Sequence, residues 1–304
     1  MSNIYENQKR EEKRPVAVAA VVRIVIWSVV LFLLVGVFAA AMAGEGNFIW
    51  NLTRWDDFDF DDRDYSVGNA NVRTRISELS IDWVDGSVTV AATDGDEILI
   101  TENYEGGETA YRLRWKIEDG ELDIKYCKPK IHLPLFGDES VPKDLHVLIP
   151  RSMLDGLEEI HVSTVSAVQN INVSARGLDS STVSGAVYAT GTYRDVEIET
   201  VSGDVSVDGV VKRGSFDGVS GEVHLYLREQ AERLDMDTVS GDLRLTLPDS
   251  TTGFHVNVDS LNGDADIRGF DLNRGQGDTW GDGSMKIKVD SVSGKLIIEK
   301  ETRN

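Results

Sequence analysis

Four acidic residues, Asp204, Glu222, Asp242 and Asp264, each follow a glycine, and the interval between them is nearly regular. Carboxylates that recur at one position of a structural repeat stack into a column. Such a column costs repulsion unless water solvates it or a cation bridges it, so these four are weak cation candidates and the metal assignment goes no further. The paired glycines and fixed aspartate of calcium-binding solenoids are absent. Clustered carboxylates also suit glycan cleavage, which needs an acid and a base or nucleophile. Here each acid is encoded by the repeat, and no isolated acid–base pair stands out. The histidines at 132, 146, 161, 224 and 255 have no zinc-ligand spacing. His224 and His255 sit in strand-like runs and are expected to face outward. Gly218-Val219-Ser220-Gly221 lacks the G-x-S-x-G spacing of a nucleophile elbow, and Cys127 has no activating neighbour in the sequence. The expectation is no catalytic residue and no cofactor.

The elements that position these residues come from a six-residue phrase. It reads TVSGAV at 182–187, TVSGDV at 200–205, GVSGEV at 218–223 and TVSGDL at 238–243, with weaker copies SLNGDA at 260–265 and SVSGKL at 291–296. TVSAVQ at 164–169 is a first copy with Ala167 in the glycine place. The glycines are Gly185, Gly203, Gly221, Gly241, Gly263 and Gly294. A period near 20 is too short for a helix pair or a propeller blade and fits one coil of a β-solenoid. In VEIETVSGDVSV, 196–207, Val196 and Ile198 share one face and Val205 and Val207 another, with the glycine at the corner between them. Stacked coils, about 4.8 Å apart, would align Val165, Val183, Val201, Val219, Val239, Leu261 and Val292 as one inward ladder. Val187, Val205, Val223, Leu243 and Leu296 would form a second, interrupted by Ala265. The repeated serines 166, 184, 202, 220, 240 and 293 would bond one another or the corner backbone.

Before the repeat the chain alternates with period two. SELSIDWVDGSVTVAA turns at Asp85-Gly86, as a hairpin or a strand corner, and YRLRWKIEDGELDIKY turns at Asp119-Gly120. The excursion 127–142 holds three of the six prolines and cannot be a central strand. Residues 268–284 read as a long loop, and after residue 43 EQAERL at 229–234 is the one stretch with helical character.

Taken together, Ile76–Val90 with Asp94–Ile100, Leu122–Tyr126, Lys143–Pro150 and the VSGDV copies resemble the bacterial putative-adhesin family of β-strand-repeat proteins over roughly 75–300. The resemblance implies an all-β, right-handed β-solenoid (β-helix-like) ectodomain with an N-terminal antiparallel strand module. It also implies a surface-exposed protein, in a family often tethered to the membrane and sometimes encoded among envelope-stress genes, and it brings no catalytic residues.

Ile24 to Ala43 is an uncharged run of bilayer length. Lys9, Arg10, Lys13, Arg14 and Arg23 precede it and place the N-terminus in the cytoplasm. Ala41-Met42-Ala43 resembles a signal-peptidase site, but the apolar run exceeds a signal peptide's. The expected organisation is a basic tail at 1–23, a transmembrane helix at 24–43, an acidic linker at 44–74 and the repeat domain at 75–300. The net charge of −21 argues against nucleic acid, and one cysteine rules out an internal disulfide. The leading reading is a single-pass cell-membrane protein whose solenoid is a non-catalytic adhesion or binding module for a protein or glycan of the envelope. The alternatives are an envelope-stress accessory that binds a membrane partner and, behind it, a polysaccharide-active enzyme.

Overall fold

Val187–Thr200 and Val205–Ser220 are strands of 14 and 16 residues, and they show how the chain winds. Their first halves lie in one face of the molecule and their second halves in the other. The turn between halves is tight because Gly191 and Gly209 stack there: a Cβ on Gly209 would sit 2.0 Å from the Gly191 carbonyl oxygen. This computed structural model describes residues 64–301 apart from 105–108, 128–141, 263 and 272–277, all within the unit Phe58–Asn304. The span Ile24–Ala43, Gly263 and nearly all of the 127–142 excursion lie outside the described residues. Among the described residues no helix is long and apolar enough to cross a membrane.

Each coil contributes one strand to each face. The first face runs through Glu159–Thr164, Gly177–Thr182, the second halves of the two long strands and Arg233–Ser240. The second runs through Val168–Asn172, the first halves, Val223–Leu227 and Leu243–Leu247. All of these pairings are parallel. The inner faces close on a continuous apolar core that includes Ile160, Val162, Ile198, Phe216, Val207 and Leu225. The result is an all-β, solenoid-like stack.

One predicted ladder holds and the other turns over. Val187, Val205, Val223, Leu243 and Leu296 align in register and are buried. The residues just before the corner serines, and before Asn262 in the weaker copy, point outward instead: Val183 is 39% exposed, Val292 38% and Leu261 77%. Strand alternation decides this. Ile198 faces in, so Thr200 faces in and Val201 out. The inward column at the corner is Trp83, Thr164, Thr182, Thr200, Gly218 and Thr238.

Chain order and stacking order differ at the end of the stack. Met285–Ser293 pairs with Arg233–Ser240 on one side and with Gly253–Ser260 on the other, and Lys295–Lys300 likewise lies between Leu243–Leu247 and Asp264–Ile267. The last coil is therefore inserted beneath the one before it. Ala265 ends the second ladder and does not interrupt it. The loop at 268–284 carries a short strand, Asp278–Gly281, antiparallel to Gly253–Ser260. Residues 229–232 form a bend, not a helix.

The N-terminal module is mixed rather than antiparallel throughout. Glu78–Trp83 runs parallel to Glu121–Lys125 and Gly86–Thr93 parallel to Lys143–Pro150, because these strands continue the coil stack, while the remaining pairs are antiparallel as expected. Arg114–Glu118 and Glu121–Lys125 form a hairpin across Asp119 (φ 50°) and Gly120 (φ 91°), the left-handed pair of a primed turn. Ala70–Val72 pairs with Ile98–Asn103, and that strand pairs with Lys143–Pro150. Asp85-Gly86 is a corner rather than a hairpin, because Glu78–Trp83 and Gly86–Thr93 lie in opposite faces as a coil of their own.

Candidate functional site

The repeated corner is built from four residue positions. Threonine, inside, caps the turn: the Gly203 N–H donates to Thr200 Oγ1 at 2.8 Å and the Gly185 N–H to Thr182 Oγ1 at 3.0 Å. Glycine is required by the coil below, since a Cβ on Gly203 would lie 1.9 Å from the Gly185 carbonyl oxygen and one on Gly241 2.1 Å from that of Gly221. Serine ties coil to coil. Ser184, Ser202 and Ser220 hydroxyls donate to the carbonyls of Val165, Val183 and Val201 at 3.2–3.3 Å, as the sequence suggested.

The acids complete the corner. Asp204 Oδ1 accepts the Glu222 N–H and Asp242 Oδ1 accepts the Lys295 N–H, each at 2.9 Å. Asp204, Glu222 and Asp242 share a column. Asp264 is parted from them by Lys295, because of the inserted coil.

Two constellations escaped the sequence reading. On the first face His161 Nδ1 lies 3.0 Å from Asp179 Oδ2, and Ser163 Oγ lies 3.1 Å from His161 Nε2. The connectivity is that of a nucleophilic triad. However, the backbone N–H groups around Ser163 belong to the parallel ladder, which leaves no oxyanion donor pair, and the face is open. Ser163 also shares a 2.8 Å hydrogen bond with Ser181, so the chain of bonds orders the face. The Asp179 hydrogen bond raises His161 above the usual imidazole range. Secondly, Cys127 does have a partner: buried Lys143 donates to its Sγ at 2.5 Å and pairs with Glu102 at 3.1 Å. Burial still pushes the thiol up, which makes it a poor nucleophile.

The second face carries a groove of about 490 Å³. His224 and Tyr226 are successive outward residues of Val223–Leu227, and their rings stack at 3.7 Å with 30° between planes. Arg244 and Thr246 come from the next coil, and Glu299 from the one after. Arg228 forks onto Asp208 with two 2.6 Å bonds and reaches Glu301 at 2.8 Å. Arg244 is held more loosely, 3.6 Å from Glu222 and 3.5 Å from Glu299. Burial, and then Arg244, keep His224 below the usual imidazole range, so its ring is neutral at neutral pH. The sequence hides this site because Tyr226 and Glu299 meet only through the inserted coil.

These features define a β-solenoid scaffold with repeat-encoded faces. The Toastrack DUF4097 family profile matches residues 97–299, and the chain belongs to that family. Similar solved structures include a "putative adhesin" of Parabacteroides merdae (12% identity, 79% of this chain and 97% of that one, TM-score 0.41). Another is a "putative adhesin" of Bacteroides fragilis (10%, 79% and 98%, 0.39). A third is a "putative lipid binding protein" of Parabacteroides distasonis (13%, 79% and 98%, 0.33). No curated protein matches the chain.

Proposed function

We propose that this protein is a single-pass, membrane-anchored module of the cell envelope, with its N-terminus cytoplasmic and a right-handed β-solenoid outside. It acts by contact, as a non-catalytic adhesion or binding module for a protein or glycan. The groove at His224–Glu301 carries this reading: side chains from three coils gather around a stacked ring pair on a sheet whose other hydrogen-bonded constellations serve the scaffold. The uncharged run Ile24–Ala43 and the basic residues before it support the anchor.

Topology is tested by adding protease to intact cells that express the chain with a tag at each end. The N-terminal tag should survive and the C-terminal tag should be lost; the reverse would overturn the orientation. Contact is tested with beads that carry the full chain in lipid nanodiscs, applied to isolated envelopes. Retention above that of empty nanodiscs is expected. Prior protease or periodate treatment of the envelopes tells a protein ligand from a glycan, and retention equal to empty nanodiscs would overturn the reading.

A further inference from the structure

Groove chemistry narrows the ligand, on the basis of the binding role just proposed. At one edge stand the His224 and Tyr226 rings, packed face to face, so that the ring face Tyr226 turns away from His224 is the one left for a ligand. Such rings stack on the C–H face of a ring-shaped ligand. Tyr188 continues the outward column two coils away and is 47% exposed. Across the sheet from the ring pair come first Arg244 and Thr246 and then Glu299, with Lys300 and Glu301 at the end, so donors and acceptors alternate from coil to coil.

Charge decides the class. In a chain of net charge −21 this groove gathers Arg228, Arg244 and Lys300. Yet Arg228 is paired with Asp208 and Glu301, and Arg244 lies beside Glu222 and Glu299. The two arginines are matched by acids and the Lys300 ammonium lies over the Phe270 and Trp280 rings, so a polyanion gains little attraction here and is repelled by the excess negative charge around it. What fits is a ligand with an apolar ring face and many neutral hydroxyls at its edge. Carboxylates accept from such hydroxyls, and guanidinium forks donate to them. A volume near 490 Å³ lies within the usual range for small-ligand sites, roughly 300–1,000 Å³. We propose that the groove is a saccharide site selective for neutral pyranose chains, with Tyr226 as platform, His224 backing its ring, and Arg244 and Glu299 as edge contacts.

The test uses the full chain in nanodiscs and titrates it with chitotetraose, cellotetraose and tetragalacturonate by calorimetry. At least one neutral tetrasaccharide should bind, and more tightly than tetragalacturonate. Tyr226→Ala should weaken it at least tenfold and Arg244→Gln about five- to tenfold, while Asp217→Asn on the opposite face should leave it unchanged. Tyr226→Phe, which keeps the ring, should retain binding and thereby separate platform loss from misfolding. Absence of neutral-sugar binding, tighter binding of tetragalacturonate, or binding that survives both Tyr226→Ala and Arg244→Gln would overturn the groove assignment. Each of these outcomes leaves retention on envelopes as a separate result, so failure of the groove is distinguishable from failure of the binding role.

Discussion

At the residue scale the corner phrase reads as a set of steric and hydrogen-bonding demands. Gly203 has its would-be Cβ 1.9 Å from a carbonyl oxygen, a distance no rotamer change relieves. Gly203→Ala should therefore cost about 2–4 kcal/mol in denaturant unfolding. Gly218→Ala, whose Cβ would meet Thr200 Cγ2 at 3.7 Å, should be near neutral. Equal effects at the two sites would show that the close approach is not what selects glycine. Thr200→Val keeps the shape and removes the acceptor for the Gly203 N–H, so it should cost about 1–3 kcal/mol. The sequence showed which residues recur and that glycine makes the corner. It did not show that threonine, rather than valine, is the inward member, since a single-residue shift in alternation exchanges the two.

At the element scale, the insertion of the last coil matters most. Arg233–Ser240 and Gly253–Ser260 each pair with Met285–Ser293 and not with each other. Removal of 285–304 should therefore strip hydrogen-exchange protection from 257–260, which Asp278–Gly281 does not cover, while 177–200 stays protected. Protection retained at 257–260 would mean that the coils can stack in chain order. Sequence similarity could place SVSGKL in the repeat but not in the stack, because either neighbour offers the same apolar and serine columns. The hairpin at Asp119-Gly120 was legible because its turn chemistry is local. The bend at 229–232 was misread as helical because a few charged residues around Ala231 imitate a helical period, while the flanking strands dictate an extended exit.

On the scale of the whole molecule, charge sets the response to solution conditions. Burial and the neighbouring acids Asp217, Glu197 and Asp179 raise Glu199; burial, then Asp179 and Glu78, raise Glu159. A carboxyl raised in the folded state binds more protons there than when unfolded, so stability falls as pH rises through the window just above the ordinary carboxylate value. The raised His161 acts in the same direction nearer neutrality, and the lowered His224 opposes it. Asp266 and Asp282, held low by hydrogen bonds from Arg268 and Ser284, reverse the trend only in stronger acid. The melting temperature should therefore rise as pH falls from 8 toward about 5 and fall again in stronger acid. At neutral pH, added salt should raise it by screening the excess negative charge. A melting temperature flat in both pH and salt would mean that the acidic faces are fully relaxed by solvent.

The sequence by itself determined the all-β class, the coil period, the corner glycines and serines and the inward ladder from Val187 to Leu296. Period-two alternation and short-range turn chemistry act over a few residues and leave a readable trace. Tertiary structure alone decided which side of the corner valine takes, the order of the final coils, the buried Lys143–Glu102–Cys127 contact and the groove. Each depends on which strands become neighbours, and His224, Tyr226, Arg244 and Glu299 converge only once the C-terminal strand has slipped between two coils that precede it in the chain.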